Sequence, residues 1–435
     1  MLTRKIRIIP TPAQKQVLWD LSERCRLLYN FALAERRQNW EANREKSQGE
    51  RNYITYTQQQ NALPAIKMKY PEYTWVYSKV LQMTLQQLDA DYKSFFARWK
   101  HGDTQARPPR FKGKNYFTTL CYNQSGFFID MEKKTIRFSH NHPAAVLLQF
   151  NLKWLPQIQG RIKQVNLFRD THNRWFVVII IDIELPSYVD NELYQAIDLG
   201  IINLVTAVNM HGKFIQIQNR RADLYWKDKI RQVQSRRDHC QKFSNKWHFY
   251  HSKLLKIRTK MVNQLRDFQH KISKQVVENT RANTLIIGNL DIKTMARKKK
   301  TTGNPLRDQS NRTLNHSLQS TGTLGRFAEF LTYKATRVGK RVIRIDEAYT
   351  TKTCCVCGKA RNRKLSERII YCDCGTTFDR DQNAAVNLMV RFLSQQPPVN
   401  GEPLQAFLYG LHRHTALLYT LGGVDSMKIP TYKRE

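Results

Sequence analysis

Four cysteines near the end of the chain constrain its fold more than any other feature. Cys354 and Cys357 form a Cys-x-x-Cys pair, and Cys372 and Cys374 form a second pair after an interval of 14 residues, 358 to 371. A glycine follows each pair directly, where a tight turn is expected. Two close pairs of thiolates suit a tetrahedral Zn²⁺ ion, with Zn–S distances of ~2.3 Å. Because four thiolates close the coordination sphere, we predict a zinc ribbon whose metal is structural rather than catalytic.

Two other interpretations of these cysteines stay open at this point. One is disulfide pairing, but five of the eight cysteines lie between residues 354 and 374, and the N-terminal segment lacks the apolar stretch of a secretory signal. This pattern favours metal binding in a reducing compartment, and hence a cytoplasmic protein. The other is that Cys355, directly beside Cys354, competes with it as a ligand, although the two-residue gap is the more usual spacing.

The charge of the chain defines the class of its partners. Its 435 residues include 72 Lys and Arg against 35 Asp and Glu, a formal net charge of +37. Such an excess favours a polyanionic partner, and nucleic acid fits it best. The length predicts two to four domains, each with its own core. The longest apolar run, Phe176 to Ile181, has the length of a strand, so no membrane span or membrane partner is expected.

The first half of the chain combines two long helices with a set of short strands. Thr11, Pro12 and Gln14 form a helix start, with Thr as N-cap, Pro in the first turn and Gln closing a capping box. Apolar residues recur at helical spacing after this start and again from Leu81 to Trp99. Strand-like segments then follow at 127–129, 135–138, 146–148, 162–168 and 175–183. We predict a small barrel or sandwich, completed by residues 5–9, with the helices inserted between.

The second half follows a different pattern, in which strands alternate with helices. Strand-like segments lie at 196–199, 204–208, 214–217, 284–287 and 342–345, with basic helices at about 222–280 and another helix at 324–338. This alternation predicts an α/β sheet covered by helices on both faces. A basic run extends from Arg297 to Lys300. Past Gln395, an apolar helix-like segment follows two prolines, and both packing onto the body and staying mobile are open to it.

Three carboxylates stand at the ends of these elements. Asp198 ends a buried strand, Glu347 lies just past another, and Asp381 follows the cysteines where a helix begins. Asp379 is placed to cap that helix. Hard oxygen ligands on rigid supports are what two Mg²⁺ ions ~3.5–4 Å apart require in a phosphodiesterase. Taken singly, Asp198 is equally a turn residue, Asp381 an N-cap and Glu347 a solvated strand end.

Several short motifs of the chain occur in a fixed order. They are Arg7-Ile8-Ile9-Pro10-Thr11-Pro12-x-Gln14 with Tyr29-Asn30; Pro108-Pro109-Arg110-Phe111-Lys112; Asp198-Leu199-Gly200; Thr350-x-Lys352-Thr353-Cys354-x-x-Cys357-Gly358; Cys374-Gly375; and Asp379-Arg380-Asp381-x-Asn383-Ala384-Ala385-x-Asn387. Together they cover residues 1 to about 392, and the last is the most specific. In these motifs the chain resembles the TnpB family, the RNA-guided nucleases of insertion sequences. That family is related to the type V CRISPR effectors and to the eukaryotic Fanzor proteins.

The resemblance implies a multidomain fold that combines α+β and α/β parts. Its domains would be a wedge barrel (1–10 and 112–190), a helical recognition domain (11–111), a RuvC nuclease domain of ribonuclease-H fold (191–350 and 379–394), a zinc ribbon (351–378) and a C-terminal extension (395–435). It also implies catalytic Mg²⁺ ions held by Asp198 and Asp381, and structural Zn²⁺. The implied partners are a guide RNA encoded beside the gene and a double-stranded DNA target with a short adjacent motif, bound by a monomer.

One position departs from the family pattern. The family's second catalytic residue is a Glu directly after the middle strand, where this chain has Gly288. Either the nuclease is inactive and the protein is a guide-dependent DNA-binding repressor, or Glu347 supplies the missing carboxylate. The implied ribonuclease-H fold favours Glu347, because it makes the strand before Glu347 a neighbour of the strand that ends at Gly288. Neighbouring strands lie ~4.8 Å apart, and a Glu side chain spans that gap. Asp291 is further along the chain and is a weaker substitute.

The leading hypothesis is therefore a Mg²⁺-dependent, RNA-guided DNA endonuclease of a transposable element. The repressor and a small type V CRISPR effector are its alternatives. A transposase that joins DNA ends itself is less attractive, because nothing in the chain resembles a tyrosine recombinase or a separate end-binding domain.

Overall fold

The computed structural model describes residues 1–153, 155, 157–289, 308–309, 324–362, 367–395 and 402–414. Contacts divide the chain into two compact units, Met1–Glu184 and Leu185–Glu435. The basic run from Arg297 to Lys300 and the carboxylate of Asp291 lie outside the described residues. None of the described helices has the length and apolar character needed to cross a membrane.

The helices of the first unit form where the sequence predicted them. α1 (Pro12–Arg44) begins after Thr11, whose Oγ1 accepts a hydrogen bond from Gln14 N at 3.2 Å, while Gln14 Oε1 accepts one from Thr11 N at 3.0 Å. The predicted capping box is thus confirmed. Further along are α2 (Tyr56–Asn61), α3 (Leu63–Lys69) and α4 (Ser78–Lys100), with 3₁₀ turns at Gln48–Glu50 and Pro71–Trp75. α1 and α4 bury their leucines in one core.

The strands of the first unit form two antiparallel sheets. They are β1 (Leu2–Ile8), β2 (Leu120–Asn123), β3 (Phe127–Asp130), β4 (Thr135–Phe138), β5 (Leu148–Asn151), β6 (Arg161–Arg169) and β7 (Trp175–Asp182), in the orders β1-β7-β6-β2 and β3-β4-β5. β1 pairs with β7 along its whole length, from Leu2 opposite Ile181 to Ile8 opposite Trp175. The predicted return of the N-terminal strand, with the helices inserted, is confirmed.

One strand boundary was predicted wrongly. The segment 146–148 was expected to be a strand, but β5 begins only at Leu148. Ala145 has a positive φ of 49°, and its N–H bonds to the His142 carbonyl oxygen in a turn. Because this turn extends to Ala145, Val146 and Leu147 connect the turn to the strand and are not part of β5.

The second unit contains a mixed five-stranded sheet. Its strands are β8 (Tyr194–Asp198), β9 (Asn203–Asn209), β10 (Phe214–Gln218), β11 (Thr284–Gly288) and β12 (Arg341–Ile345), in the order β10-β9-β8-β11-β12. β11 is parallel to both β8 and β12, whereas β9 is antiparallel to β8 and to β10. Parallel neighbours bring the carboxyl ends of β8, β11 and β12 to one edge of the sheet.

Helices cover both faces of this sheet, as the alternation of elements predicted. Those that pack on it are α6 (Asn245–Asn279), α7 (Leu324–Arg337) and α8 (Arg380–Ser394), while α5 (Ala222–Asp238) packs against α6. Ala196 and Ile286 join a buried cluster with α8, whereas their neighbours Ile197 and Leu285 join a cluster with α6 and α7. Successive residues of one strand therefore face opposite helical layers.

Two further elements complete the second unit. β13 (Ile369–Tyr371) and β14 (Thr377–Asp379) form a short hairpin just before α8. α9 (Glu402–His414) buries Phe407 and Leu411 in the cluster that contains α8, so this segment packs onto the body. At the β9–β10 turn, a Cβ on Gly212 would lie 2.6 Å from the Gly410 carbonyl oxygen of α9. Only glycine fits so close an approach.

Candidate active site and metal centre

The ends of three strands define the candidate active site. Asp198 is the last residue of β8, Gly288 the last residue of β11, and Glu347 follows β12 by two residues. Gly288 pairs with Ile345 of β12 in parallel register. The predicted adjacency of the two strand ends is therefore confirmed.

The Glu347 side chain occupies the space beside Gly288. A Cβ built on Gly288 would lie 2.9 Å from Glu347 Cβ and 3.0 Å from Glu347 Cδ, closer than side-chain carbons approach one another. A residue with a side chain at position 288 would therefore displace Glu347. Gly288 and Glu347 are therefore sterically complementary. Gly288 has no side chain, and the side chain of Glu347 occupies the space that a residue-288 side chain would need.

Asp381 reaches the site through the start of α8. The Asp379 side chain caps this helix, because its Oδ1 accepts hydrogen bonds from Asp381 N at 2.9 Å and from Gln382 N at 3.1 Å. The predicted role of Asp379 as N-cap is confirmed. Capping fixes the first turn and so holds Asp381 at the helix N-terminus, where the helix dipole favours a negative charge.

Asp381 is buried and has three polar partners. Its side-chain oxygens lie 3.1 Å from Asn203 Nδ2, 2.5 Å from Arg368 Nη2 and 3.6 Å from Arg380 Nε. A Cβ on Gly200 would lie 4.0 Å from Asp381 Oδ2, so the loop that follows Asp198 passes close to this carboxylate. Asn203 and Arg368 were not identified from the sequence, because no local spacing connects them to residue 381.

The three carboxyl groups are electrostatically coupled. Burial and, to a smaller extent, the charges of Asp381 and Glu347 raise the pKa of Asp198 to about 8, against the opposing effect of Arg380 and Arg368. Burial also raises the pKa of Glu347 to about 7. Repulsion among crowded carboxylates is relieved by bound cations, and oxygen ligands of this kind suit hard divalent ions. These oxygen donors are of the kind that Mg²⁺ prefers, but among the described residues the three carboxylates do not converge to within 4.8 Å of one another.

The cysteines form a tighter cluster than the carboxylates. Among the described residues, the sulfurs of Cys354, Cys357, Cys372 and Cys374 are the one converging group of potential metal-ligating atoms, all within 4.8 Å of one another. The Cys354–Cys374 and Cys357–Cys372 Sγ–Sγ distances are 3.8 and 3.5 Å. A tetrahedron with Zn–S bonds of ~2.3 Å has edges of about 3.8 Å, so the set fits zinc. Cys355 lies outside it, and all the cysteines are free thiols.

The two cysteine knuckles are shaped by glycines. Gly358 and Gly375 have φ values of +74° and +83°, which a residue with a side chain rarely adopts. Gly358 N bonds to the Cys354 carbonyl oxygen at 3.0 Å, and Gly375 N bonds to that of Cys372 at 2.9 Å. These turns fold each cysteine pair back on itself, which is how so short a segment presents four sulfurs to one point.

Two buried asparagines of α8 hold the segment that leads into the ribbon. Asn383 and Asn387 both donate through Nδ2 to the carbonyl oxygens of Thr350 and Thr353, at 2.8 to 3.0 Å. Asn383 Oδ1 also accepts from Cys355 N at 2.9 Å. The backbone next to the first cysteine pair is thus fastened to the helix that carries Asp381.

Arg391 extends this attachment by one more turn. Its guanidinium donates to the carbonyl oxygen of Asp346 and, at 2.9 Å, to that of Ala348. Residues 383, 387 and 391 are spaced four apart, so they lie on one face of α8. This role was not recognised from the sequence, although three polar residues at that spacing in a helix that is otherwise mostly apolar were a usable signal.

Three family models match the chain. One described as "Probable transposase" matches residues 183–299, one described as "Cas12f1-like, TNB domain" matches residues 325–388, and one described as "Helix-turn-helix domain" matches residues 1–45. In this structure, residues 1–45 form β1 and the single long helix α1 rather than two helices joined by a turn.

Relatives of similar length are found in bacteria. A Streptomyces pristinaespiralis protein named as a candidate RNA-guided DNA endonuclease is 26% identical, over 90% of this chain and 89% of its own length. An Escherichia coli K12 protein with the same description, InsQ, is 25% identical over 88% and 90%. A shorter candidate transposase of Methanocaldococcus jannaschii is 37% identical over 18% of this chain and 83% of its own length.

A solved structure shares the fold. It is described as a cryo-EM structure of the Cas12f1–sgRNA–target DNA complex, and its protein matches with a TM-score of 0.58 at 12% identity, over 87% of this chain and 83% of that one. The likeness therefore extends over the mixed α and β architecture of both units rather than over one motif.

Proposed function

We propose that the chain is a member of the TnpB family of insertion-sequence proteins and that it is an RNA-guided DNA endonuclease associated with a transposable element. The observation that carries the proposal is the Glu347 side chain in the space beside Gly288. It supplies a third carboxylate at the edge of the sheet where this chain has Gly288 in place of the family's glutamate. Asp198 and Asp381 approach the same edge from β8 and α8.

In this proposal the three carboxylates share the catalytic work. Asp198, Glu347 and Asp381 would hold Mg²⁺, and the metal would supply activation of a water molecule and stabilisation of the leaving oxygen of the phosphodiester. Arg368 and Arg380 keep Asp381 in place and balance part of the negative charge. The fold itself supplies rigidity, because each ligand is attached to a strand end or to a capped helix start.

The cysteine cluster has a separate, structural role in the proposal. Cys354, Cys357, Cys372 and Cys374 would hold one Zn²⁺ ion, which closes residues 351–378 into a ribbon. Asn383 and Asn387 bond the backbone before the ribbon to α8, so an ordered ribbon would also help to fix the start of α8 and the position of Asp381.

The partners follow from charge and from the relatives. A net charge of +37 suits two polyanions held at once, a guide RNA and its double-stranded DNA target. Base pairing by the guide would supply sequence specificity, with the protein reading a short motif beside the target. We assign residues 1–10 and 112–190 to a wedge barrel, 11–111 to recognition, and 191–350 with 379–394 to the RuvC nuclease domain.

Cleavage by the purified complex tests the proposal. The protein is expressed together with the DNA that flanks its gene, so that any RNA encoded there is bound, and a library of matched targets with randomised flanks is offered. Cutting should require the RNA, a matching target and Mg²⁺, and should stop with EDTA. An intact target library under all these conditions would reject the proposal.

A second function is favoured by one observation, the glycine at position 288. If Glu347 does not replace the missing carboxylate, the protein binds its target without cutting and acts as a guide-dependent repressor. The two functions differ in one measurement, because a repressor leaves every phosphodiester of a tightly bound target intact, whereas the nuclease loses its cutting on Glu347→Gln.

A further inference from the structure

A tyrosine occupies a turn position that normally needs glycine. The Thr350 N–H bonds to the Glu347 carbonyl oxygen at 3.2 Å, which closes a four-residue turn directly after β12. Tyr349, the third residue of this turn, has a φ of +65°, whereas Ala348 is not among the residues with positive φ. This is the pattern of a type II turn, in which the third position favours Gly or Asn. A bulky aromatic residue there is a backbone outlier.

The surrounding contacts impose this conformation. Thr350 Oγ1 also bonds to the Glu347 carbonyl oxygen at 2.9 Å, and the Tyr349 carbonyl oxygen accepts from both Lys352 N and Thr353 N at 2.9 Å. Arg391 holds the backbone just before, at Ala348. Nearly every backbone group of the turn is thus bonded, and strain of this kind persists only where the surroundings determine it fully.

The Tyr349 ring does not contribute to the core. Its side chain is 64% exposed, although the same turn buries Thr350 completely enough to leave it 3% exposed. Lys352 Nζ lies 5.5 Å from the ring centroid, and Tyr349 belongs to no buried cluster. The ring therefore adds no packing to the fold, and a glycine would suit the positive φ of this position better.

From these observations we infer that Tyr349 is a substrate-positioning residue, which stacks on an unpaired nucleobase of the strand whose phosphate lies at Asp198, Glu347 and Asp381. The inference rests on the proposed nuclease function and deepens it. Tyr349 is two residues from Glu347 within one turn, so a base stacked on its ring would lie next to the carboxylate proposed to hold the metal. Lys352 lies beside the ring, where it meets the backbone charge of the same strand.

The chemistry of the ring fits this partner. Aromatic side chains in basic grooves bind single-stranded nucleic acid by stacking, because every base offers a π-face regardless of sequence. A guide-directed nuclease needs contacts of this kind, since a ring that read particular bases would restrict its targets. Tyr349 therefore positions the strand and adds no sequence preference.

Cross-linking tests the contact directly. The RNA complex of the Asp198→Ala variant, which keeps the target uncut, is irradiated on targets that carry 5-iodouracil at successive positions of the strand. An adduct on Tyr349 at one or two neighbouring positions is expected. Adducts at other aromatic residues with none on Tyr349 at any position would overturn the inference. Because this readout needs no cleavage, it is separate from failure of the nuclease proposal.

Substitutions then distinguish positioning from a structural role. Tyr349→Asn, which suits the turn and removes the ring, should lower kcat/KM about tenfold, the size expected for one lost base stack. Tyr349→Phe should keep at least half of the activity. The melting temperature of Tyr349→Gly should equal or exceed that of the unmodified protein, because the strain is relieved.

The matched control is Tyr371→Asn, which removes a ring of 65% exposure from β13 in the ribbon that follows this turn. Its cleavage rate should stay within twofold of the unmodified value. Equal losses in Tyr349→Asn and Tyr371→Asn, or a lower melting temperature for Tyr349→Gly, would assign Tyr349 a structural role and reject the inference.

Discussion

The cysteine cluster and the carboxylate cluster of the second unit are built in opposite ways. The four cysteines lie between residues 354 and 374, and local turns bring their sulfurs within 4.8 Å. The carboxylates come from β8, from the segment after β12 and from α8, and the order of the sheet brings them near one another. A site made from one short segment depends on its turns, whereas a site made from distant segments depends on the whole fold.

This difference decides which ligands are replaceable. Cys355 is chemically identical to Cys354 and directly beside it, yet its sulfur lies outside the converging set, because each knuckle fixes which side chain points inward. At the sheet edge, in contrast, β11 and β12 end side by side, so the carboxylate of one strand fills the space above the other. If Glu347 is a metal ligand as proposed, parallel strand ends tolerate the relocation of a ligand from one strand to its neighbour, whereas a cysteine knuckle does not.

The largest effect is expected at the carboxylate that has no substitute. Asp198→Ala should lower the single-turnover cleavage rate by about 10³-fold or more, which corresponds to about 4 kcal/mol of transition-state stabilisation. Binding of matched DNA by the RNA complex should change by less than threefold. Asp228→Ala, on the exposed surface of α5, is the control and should cut normally. Cleavage by Asp198→Ala at the normal rate would remove this residue from the site.

Relocation of the ligand gives a reciprocal test. Glu347→Gln should lower the cleavage rate by about 10²-fold, because the side-chain volume is kept and only the charge is lost. Gly288→Ala should also be impaired, since its Cβ would displace the Glu347 side chain. Both rates come from the same single-turnover assay.

The exchanged pair is the sharper version of this test. The double variant Gly288→Glu with Glu347→Gly should recover at least tenfold over Glu347→Gly alone, because the carboxylate returns to the end of β11 and the gap beside it reopens. Full activity of Glu347→Gln would show instead that the site works with two carboxylates and that no ligand has moved from β11 to the segment after β12.

Zinc content tests the cysteine side of the comparison. The purified protein should contain close to one equivalent of zinc, and Cys354→Ser should lose most of it, because an incomplete thiolate set binds zinc weakly. Cys355→Ser is the matched control and should keep the full equivalent. Metal analysis by mass spectrometry measures both. The opposite pattern would make Cys355 the ligand.

The smallest effect is expected where the two clusters are joined. Asn383→Ala and Asn387→Ala should each lower the free energy of unfolding by roughly 1–3 kcal/mol, the cost of leaving buried carbonyl groups with fewer partners. Because both asparagines bond to the same two carbonyl oxygens, the double variant should lose more than the two single losses together. Urea unfolding followed by circular dichroism measures this coupling, and simple additivity would contradict it.

The sequence predicted the parts of the molecule that local patterns determine. The capping box of α1, the strands of the sheet and the zinc ligands each depend on residues a few positions apart. The position of Glu347 beside Gly288 was also predictable, but only through a resemblance that supplied the order of the strands. Spacing alone gives no sign that residues 288 and 347 are neighbours.

What the sequence did not reveal are contacts between distant segments. Arg368 and Asn203 meet Asp381 because a hairpin and a strand happen to end beside α8, and no short-range pattern encodes that. The left-handed conformation of Tyr349 was missed for a related reason. A tyrosine rarely adopts a positive φ, and this conformation follows only from the hydrogen bonds that the neighbouring backbone groups make.

The wide separation of Asp198 and Asp381 along the chain has a consequence during protein synthesis. The 183 residues from one to the other (381 − 198) take about 10 to 40 s to translate at ~5–20 residues per second. Throughout that interval the nascent chain carries β8 and its aspartate but no complete set of carboxylates. If Asp198 and Asp381 act together as proposed, a ribosome-bound fragment is unable to cut DNA, and cleavage becomes possible only when α8 has been made.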